Sequence, residues 1–237
     1  HRDLHLSIRR QRQMCIRDSR FAIHSTSGSV LVGNYDTTLI QGRAFIYDIK
    51  TKKYVEIIHD GAKSITAYGV WHNKGSHYTI CGGFTDLTVV ESGLDSGHLV
   101  DYDAKTGIFS NWTSFSYNND PVKSVITHFD GISGPRRGHK EKDDGYTLTG
   151  NAVTVPSGAA VGATDSGSGG EVAFFARVSR RRHSRGKKEE GKFKKSARWS
   201  VVKFPQSTGT SGNSVAGATV IGVYSDPSGK VRGYISK

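Results

Sequence analysis

The chain has 237 residues, enough to bury a sizeable core, and carries a formal charge of +12 with 29 glycines, 10 tyrosines and 10 phenylalanines. Valine outnumbers leucine, so the profile is one of pleated strands joined by glycine turns, with helix the minority state. Two cysteines, Cys15 and Cys81, exclude a disulfide framework and a cysteine metal site, and no run approaches the ~20 apolar residues of a membrane helix.

The charge is confined to two segments. Residues 1–20 hold six Arg against two Asp, residues 180–198 hold ten Lys or Arg against two Glu, and together they account for all of the +12. Within residues 11–19, the run Gln13-Met14-Cys15-Ile16-Arg17-Asp18-Ser19 resembles the conceptual translation of a transposase mosaic-end adapter used in sequencing libraries. That resemblance implies that residues 1–19 are non-native, to be set aside in fold reasoning as a tag would be, and that a signal peptide could have been lost with the native N-terminus. The competing reading is an amphipathic helix carrying Leu4, Leu6 and Ile8.

From there a repeat organises the chain. Val30-Leu31-Val32-Gly33-Asn34-Tyr35, Thr79-Ile80-Cys81-Gly82-Gly83-Phe84, Tyr146-Thr147-Leu148-Thr149-Gly150-Asn151 and Thr219-Val220-Ile221-Gly222-Val223-Tyr224 are each a β-prone run ending on glycine. A glycine at the end of such a run predicts a bulge or a close backbone approach. A second strand follows each: Gly42 to Asp48, Gly97 to Asp103, and looser copies at Ala173-Phe174-Phe175 and Gly233-Tyr234-Ile235. In the first two copies a polar turn (Lys50 to Lys53, Lys105 to Gly107) leads to a third, aromatic-bearing strand. Ile65 to Trp71 and Ile126 to Ile132 supply a further strand, making about four per unit.

The repeat glycines lie 49, 68 and 72 residues apart, the shortest interval matching a propeller blade and the longer ones requiring insertions. The predicted fold is therefore all-β, a propeller-like array of about four strand-hairpin repeats and read as incomplete. Residues 20–237 form a single β-repeat domain with units at about 20–63, 64–123, 124–209 and 210–237 and a basic insertion at 179–198.

The closing stretch, Val220 to Ile235, resembles the HAF repeat of extracellular proteins, with its hydrophobic-Gly-x-Tyr-x-Asp run and following glycine-aromatic pair. Arg232 stands where that repeat usually has histidine. The resemblance implies a propeller-like, surface or secreted protein with no assigned activity and carries over no functional residue.

Candidate chemistry is sparse. His128 and Asp130 alternate on one strand and face the same side, about 7 Å apart by strand geometry, as an acid–base pair or half a metal site would require; a hydrogen-bonded structural histidine is the plainer reading. Asp101 and Asp103 also share a strand, but Asp103 aligns with Asp48, which points to turn capping. Within the basic tract, Arg180, Arg181, Arg182, Lys187 and Lys188 are candidate polyanion ligands, against the plainer reading of a solvated loop. No cofactor or metal is expected.

Three functions remain open from sequence: a secreted or envelope module binding carbohydrate or protein, a propeller-type hydrolase of a glycan or ester with His128 and Asp130 at its site, and a polyanion binder through residues 180–198. Nucleic acid is the least favoured partner, because the repeats themselves carry no net charge.

Overall fold

A computed structural model describes residues 21–37, 42–86, 95–135, 145–154, 171–180 and 191–236. The N-terminal segment 1–19 and the basic residues Arg181, Arg182, Lys187 and Lys188 lie outside the described residues.

Among the described residues the fold is all-β, with strands in largely antiparallel sheets and one 3-10 turn at Tyr117–Asn119. The first unit is a four-stranded meander, β1 (Phe21–Ser27), β2 (Val30–Asp36), β3 (Gly42–Asp48) and β4 (Lys53–Ile57). The second holds β5 (Ala62–Ile65) and β6 (Gly69–Lys74), which both pair with β7 (His77–Asp86), then β8 (Asp95–Asp103) and β9 (Ile108–Phe115). The third is β10 (Ser124–Ser133), β11 (Gly145–Thr154), β12 (Glu171–Ser179) and β13 (Arg198–Val202). The fourth has three strands, β14 (Gly209–Ala216), β15 (Thr219–Ser225) and β16 (Val231–Ser236). One parallel pair, Ile126 with Asp95, joins the second and third units into a nine-stranded sheet. Among the described residues no ladder joins the first unit to the fourth.

The recurrent glycine has a physical cause. A side chain at Gly33, Gly82, Gly150 or Gly222 would collide with the carbonyl oxygen of Ala22, Thr66, His128 or Ser211 respectively, three of them on the preceding strand of the same unit and Thr66 in the break between β5 and β6. In three units the register slips just beyond that carbonyl, between Ile23 and Ser25, Phe129 and Gly131, and Gly212 and Ser214, so a bulge aims the carbonyl at the glycine. Across the ladder the glycine faces a ring: Phe45, His98, Phe174 and Tyr234 occupy one repeat position.

Strand alternation gives each unit two faces, a front bearing the repeat glycine and a back one residue out of phase. Backs pack on fronts in chain order. Val32 and Ile46 of the first back meet Ile80 and Val100 of the second front; Cys81 and Leu99 of the second back meet Leu148 and Phe174 of the third front; Phe175 of the third back meets Val220 and Tyr234 of the fourth front. Fully buried side chains of this kind contribute about 1.5–3 kcal/mol each. Between units, therefore, the core is a series of sandwiches rather than one central cluster.

Candidate functional site

The bulges set the site. Because the first strand bulges in three units and is broken between β5 and β6 in the second, the residues around that point come together along one edge: His24, Thr66 and Tyr68, His128 and Asp130, and Ser211. On the neighbouring strand, the residue after the repeat glycine is Asn34, Gly83, Asn151 or Val223. Asn34 and Asn151 stitch their unit to the next, Asn34 Oδ1 accepting from the Ala67 amide at 2.7 Å and Asn151 Nδ2 donating to Ser211 Oγ at 3.1 Å. In the second unit that position is Gly83, and a Cβ there would lie 2.5 Å from His128 Cδ2. The imidazole thus sits directly against the one of these four residues that lacks a side chain.

His128 Nδ1 lies 2.8 Å from Asp130 Oδ1, closer than strand alternation alone predicts because the backbone bulges between Phe129 and Gly131. Asp130 Oδ2 accepts from Asn151 Nδ2 at 2.7 Å. An ionised Asp130 accepts the Nδ1 proton, which leaves Nε2 of a neutral imidazole as the acceptor facing Thr66 Oγ1 at 2.9 Å. The hydroxyl also accepts the Gly83 amide at 2.9 Å and lies 3.1 Å from the Gly83 carbonyl. A lone pair of the hydroxyl is thereby taken by the Gly83 amide, and its single proton is shared between His128 Nε2 and the Gly83 carbonyl.

Rings flank the pair. Tyr68 meets His128 edge-on at 4.3 Å between centroids, and His24 lies over Tyr68 at 4.2 Å. Burial raises the Tyr68 phenol above its ordinary pKa, reinforced by the Asp130 charge. Burial also lowers the His24 imidazole, an effect that Asp130 opposes and His128 adds to. The side chains of His128 and Asp130 keep 22% and 13% exposure, so solvent reaches the pair. Asn151 Oδ1 is buried without a hydrogen-bond partner.

Thr66, Tyr68 and Asn151 were not apparent as site residues from sequence. Repeat alignment held the signal for Thr66, which occupies the position of His128 one unit earlier.

Arg180 requires a correction. Its guanidinium is not presented to a polyanion: Nη1 and Nη2 grip Asp101 Oδ2 and Oδ1 at 2.8 and 2.6 Å, and the side chain is 11% exposed. The charge lies over the rings of Phe193 and Tyr146, and Nη2 donates to Tyr146 Oη at 3.0 Å. Burial alone would lower the Arg180 pKa, but the hydrogen bonds and charges of Asp101 and Tyr146 raise it above its ordinary value. Asp101 is held also by Asn111 Nδ2 at 2.8 Å, so both of its oxygens are engaged by structural partners. Asp103 caps its turn, accepting from the Lys105 amide and the Thr106 hydroxyl, as Asp48 accepts from the Lys50 and Thr51 amides.

Elsewhere, an open cleft of about 430 Å³ lies among turns of the first two units, lined by Ser29, Asp48, Lys50, His72, Tyr78 and Lys105. Among the described residues no group of three His, Cys, Asp or Glu is placed to hold a metal ion, and no helix is long and apolar enough to cross a membrane. No protein-family profile matches the chain, and no curated protein is significantly similar to it.

Proposed function

We propose that this chain is a propeller-like repeat module, secreted or carried on the cell envelope, that binds a carbohydrate at the edge where His24, Tyr68, His128, Asp130 and Asn151 converge. The observation that carries the reading is the combination at that edge of solvent-reached rings, His24, Tyr68 and His128, with a solvent-reached carboxylate. Sugar rings are recognised by this mixture: hydroxyls donate to carboxylate and amide oxygens while C–H faces pack on aromatic planes. The propeller reading rests on the back-on-front packing of successive meanders, and the extracellular reading on the HAF-like closing stretch.

Isothermal titration of the full chain against a panel of neutral and acidic oligosaccharides tests it. Saturable binding that weakens on the order of tenfold in Asp130→Asn and in Tyr68→Ala, with no product released, is the expected result. Binding unaffected by both substitutions, or no binding across the panel, overturns it.

One observation favours a second reading. Thr66, His128 and Asp130 stand in line at 2.9 and 2.8 Å, the order of nucleophile, base and orienting acid. A hydrolase predicts ester or glycoside turnover that disappears in His128→Ala and in Thr66→Val. The ties of the Thr66 hydroxyl to Gly83 favour the binder.

A further inference from the structure

The junction of the first two units repeats the one that Arg180 fills between the second and third. Ladder register places Tyr78 at the position of Tyr146, Asp48 at that of Asp101 and Ala104 at that of Arg180. Between the second and third units the guanidinium occupies the space between phenol and carboxylate. Between the first and second a methyl group stands in its place, and Tyr78, Asp48 and Ala104 all line the open cleft of about 430 Å³. The turn at Gly75, with φ at +62°, adds no side chain to that space, since nothing lies within 4 Å of where a Cβ would stand. His72 is fixed in the wall, its Nε2 donating to the Gly75 carbonyl at 2.8 Å and its ring stacked on Tyr78 at 4.8 Å.

The charges of the lining select what the cleft takes. Lys50 and Lys105 come from matching turns of consecutive units, Asp48-Ile49-Lys50-Thr51 and Asp103-Ala104-Lys105-Thr106, and both are exposed. Among the described residues neither makes an ion pair. The carboxylates nearby are already engaged. Asp48 is 8% exposed and its Oδ1 accepts the Lys50 and Thr51 amides at 2.8 and 3.2 Å, while Asp103 accepts from the Lys105 amide on one oxygen and the Thr106 hydroxyl on the other. Ser29 Oγ and Tyr78 Oη lie 3.3 Å apart in the wall; one donates to the other, which leaves one hydroxyl proton for a ligand. We propose that the cleft is a separate binding site for the oxyanion group of a phosphorylated, sulfated or carboxylated small molecule, with Lys50 and Lys105 closing on the anion from the two units and the Ser29–Tyr78 hydroxyl pair donating to it. Charge-assisted hydrogen bonds from ammonium groups to such oxygens are the strong contacts of anion recognition. The site does not depend on what binds at the bulged edge around His128.

The test is titration of the isotope-labelled full chain with inorganic sulfate, inorganic phosphate or acetate, followed by amide chemical shifts at an ionic strength held constant with sodium chloride. Saturable shifts are expected at the amides of Ser29, Lys50, Gly75, Ser76 and Lys105, with a dissociation constant on the order of millimolar for a single oxyanion in a water-open cleft. Sulfate and phosphate binding ahead of acetate assigns a tetrahedral ester as the ligand group, and the reverse order assigns a carboxylate. Lys50→Gln with Lys105→Gln keeps the backbone amides that hold Asp48 and Asp103, so the fold is retained, and it weakens binding about tenfold or more. Replacing residues 181–190 by a Gly/Ser segment leaves these shifts in place, which separates the cleft from the basic tract, and so does Asp130→Asn, which separates it from the bulged edge. The proposal is overturned if no anion shifts these amides, if the shifts survive the double substitution, or if methylguanidinium shifts them and the anions do not.

Discussion

Arg180 and Asp101, 79 residues apart in sequence, close a two-pronged ion pair across the junction of the second and third units, and the same guanidinium also donates from Nη1 to the Gly191 carbonyl at 3.0 Å. The root of the basic tract is thereby clamped, with Arg180 bridged to Phe193. Removing one member of a buried pair strands the other, so Arg180→Ala is expected to cost about 3–5 kcal/mol in urea denaturation. Arg180→Met with Asp101→Leu should recover most of that loss.

Replacing residues 181–190 by a Gly/Ser segment of equal length leaves the clamp in place. Stability is expected to stay within about 0.5 kcal/mol, since the change touches none of the described contacts. Loss of heparin retention in this variant, with the denaturation curve unchanged, would assign polyanion binding to the tract without Arg180.

His98 fills the aromatic position beneath Gly82 and stacks on Trp112 at 4.3 Å with the planes 7° apart. Burial, with smaller contributions from His128 and His59, pushes its pKa down to about 3. The unfolded chain, with an ordinary value near 6.5, therefore binds this proton where the folded chain does not. The contribution is full above about pH 6.5 and is lost as pH falls towards 3, at up to about 1.4 kcal/mol per pH unit. His98→Phe installs the residue found at positions 45 and 174, and it is expected to flatten the decline between pH 6.5 and 4, measured by denaturation at each pH.

Gly150→Ala drives a methyl group into the His128 carbonyl and is expected to destabilise by at least about 1–3 kcal/mol. Gly209→Ala meets nothing within 4 Å and should be nearly neutral. Equal effects from the two substitutions in thermal denaturation would contradict the bulge-and-glycine geometry.

Thr66→Val removes the acceptor of the Gly83 amide and the partner of His128 Nε2, at an expected cost of about 1–3 kcal/mol in chemical denaturation. A variant as stable as the parent would mean that the hydroxyl is free to act elsewhere, which favours the hydrolase.

The strand repeat was legible because its cause is local: a carbonyl that needs a glycine opposite it, and a ring opposite the glycine, leave a pattern that survives insertions of different length. The His98 role was less so, since a histidine replacing an aromatic residue announces itself only once Gly82 and His98 are known to be opposite one another. Thr66 joins the site through a contact between units, which no single repeat displays, and Asn151 through the pairing of β10 with β11, which puts it opposite His128. Arg180 was misread because it begins a run of charge. Alternation along β12, where Phe174, Ala176 and Val178 are all at 0% exposure, places position 180 on the same inward side, and that signal outweighs the run.

Packing of each unit on its immediate neighbours alone also dictates how the molecule comes apart. Among the described residues the fourth unit has three strands, and its fully packed contribution to the shared core is Val215, Val220 and Tyr234. In an array of nearest-neighbour contacts, opening begins in the unit that contributes least to the shared core. Amide hydrogens of β15 and β16 should therefore exchange with solvent by partial opening, long before those of β7, β8 and β11. Opening of the sheet β14–β16 alone would leave the bulged edge around His128 intact, short of the contact of Asn151 with Ser211.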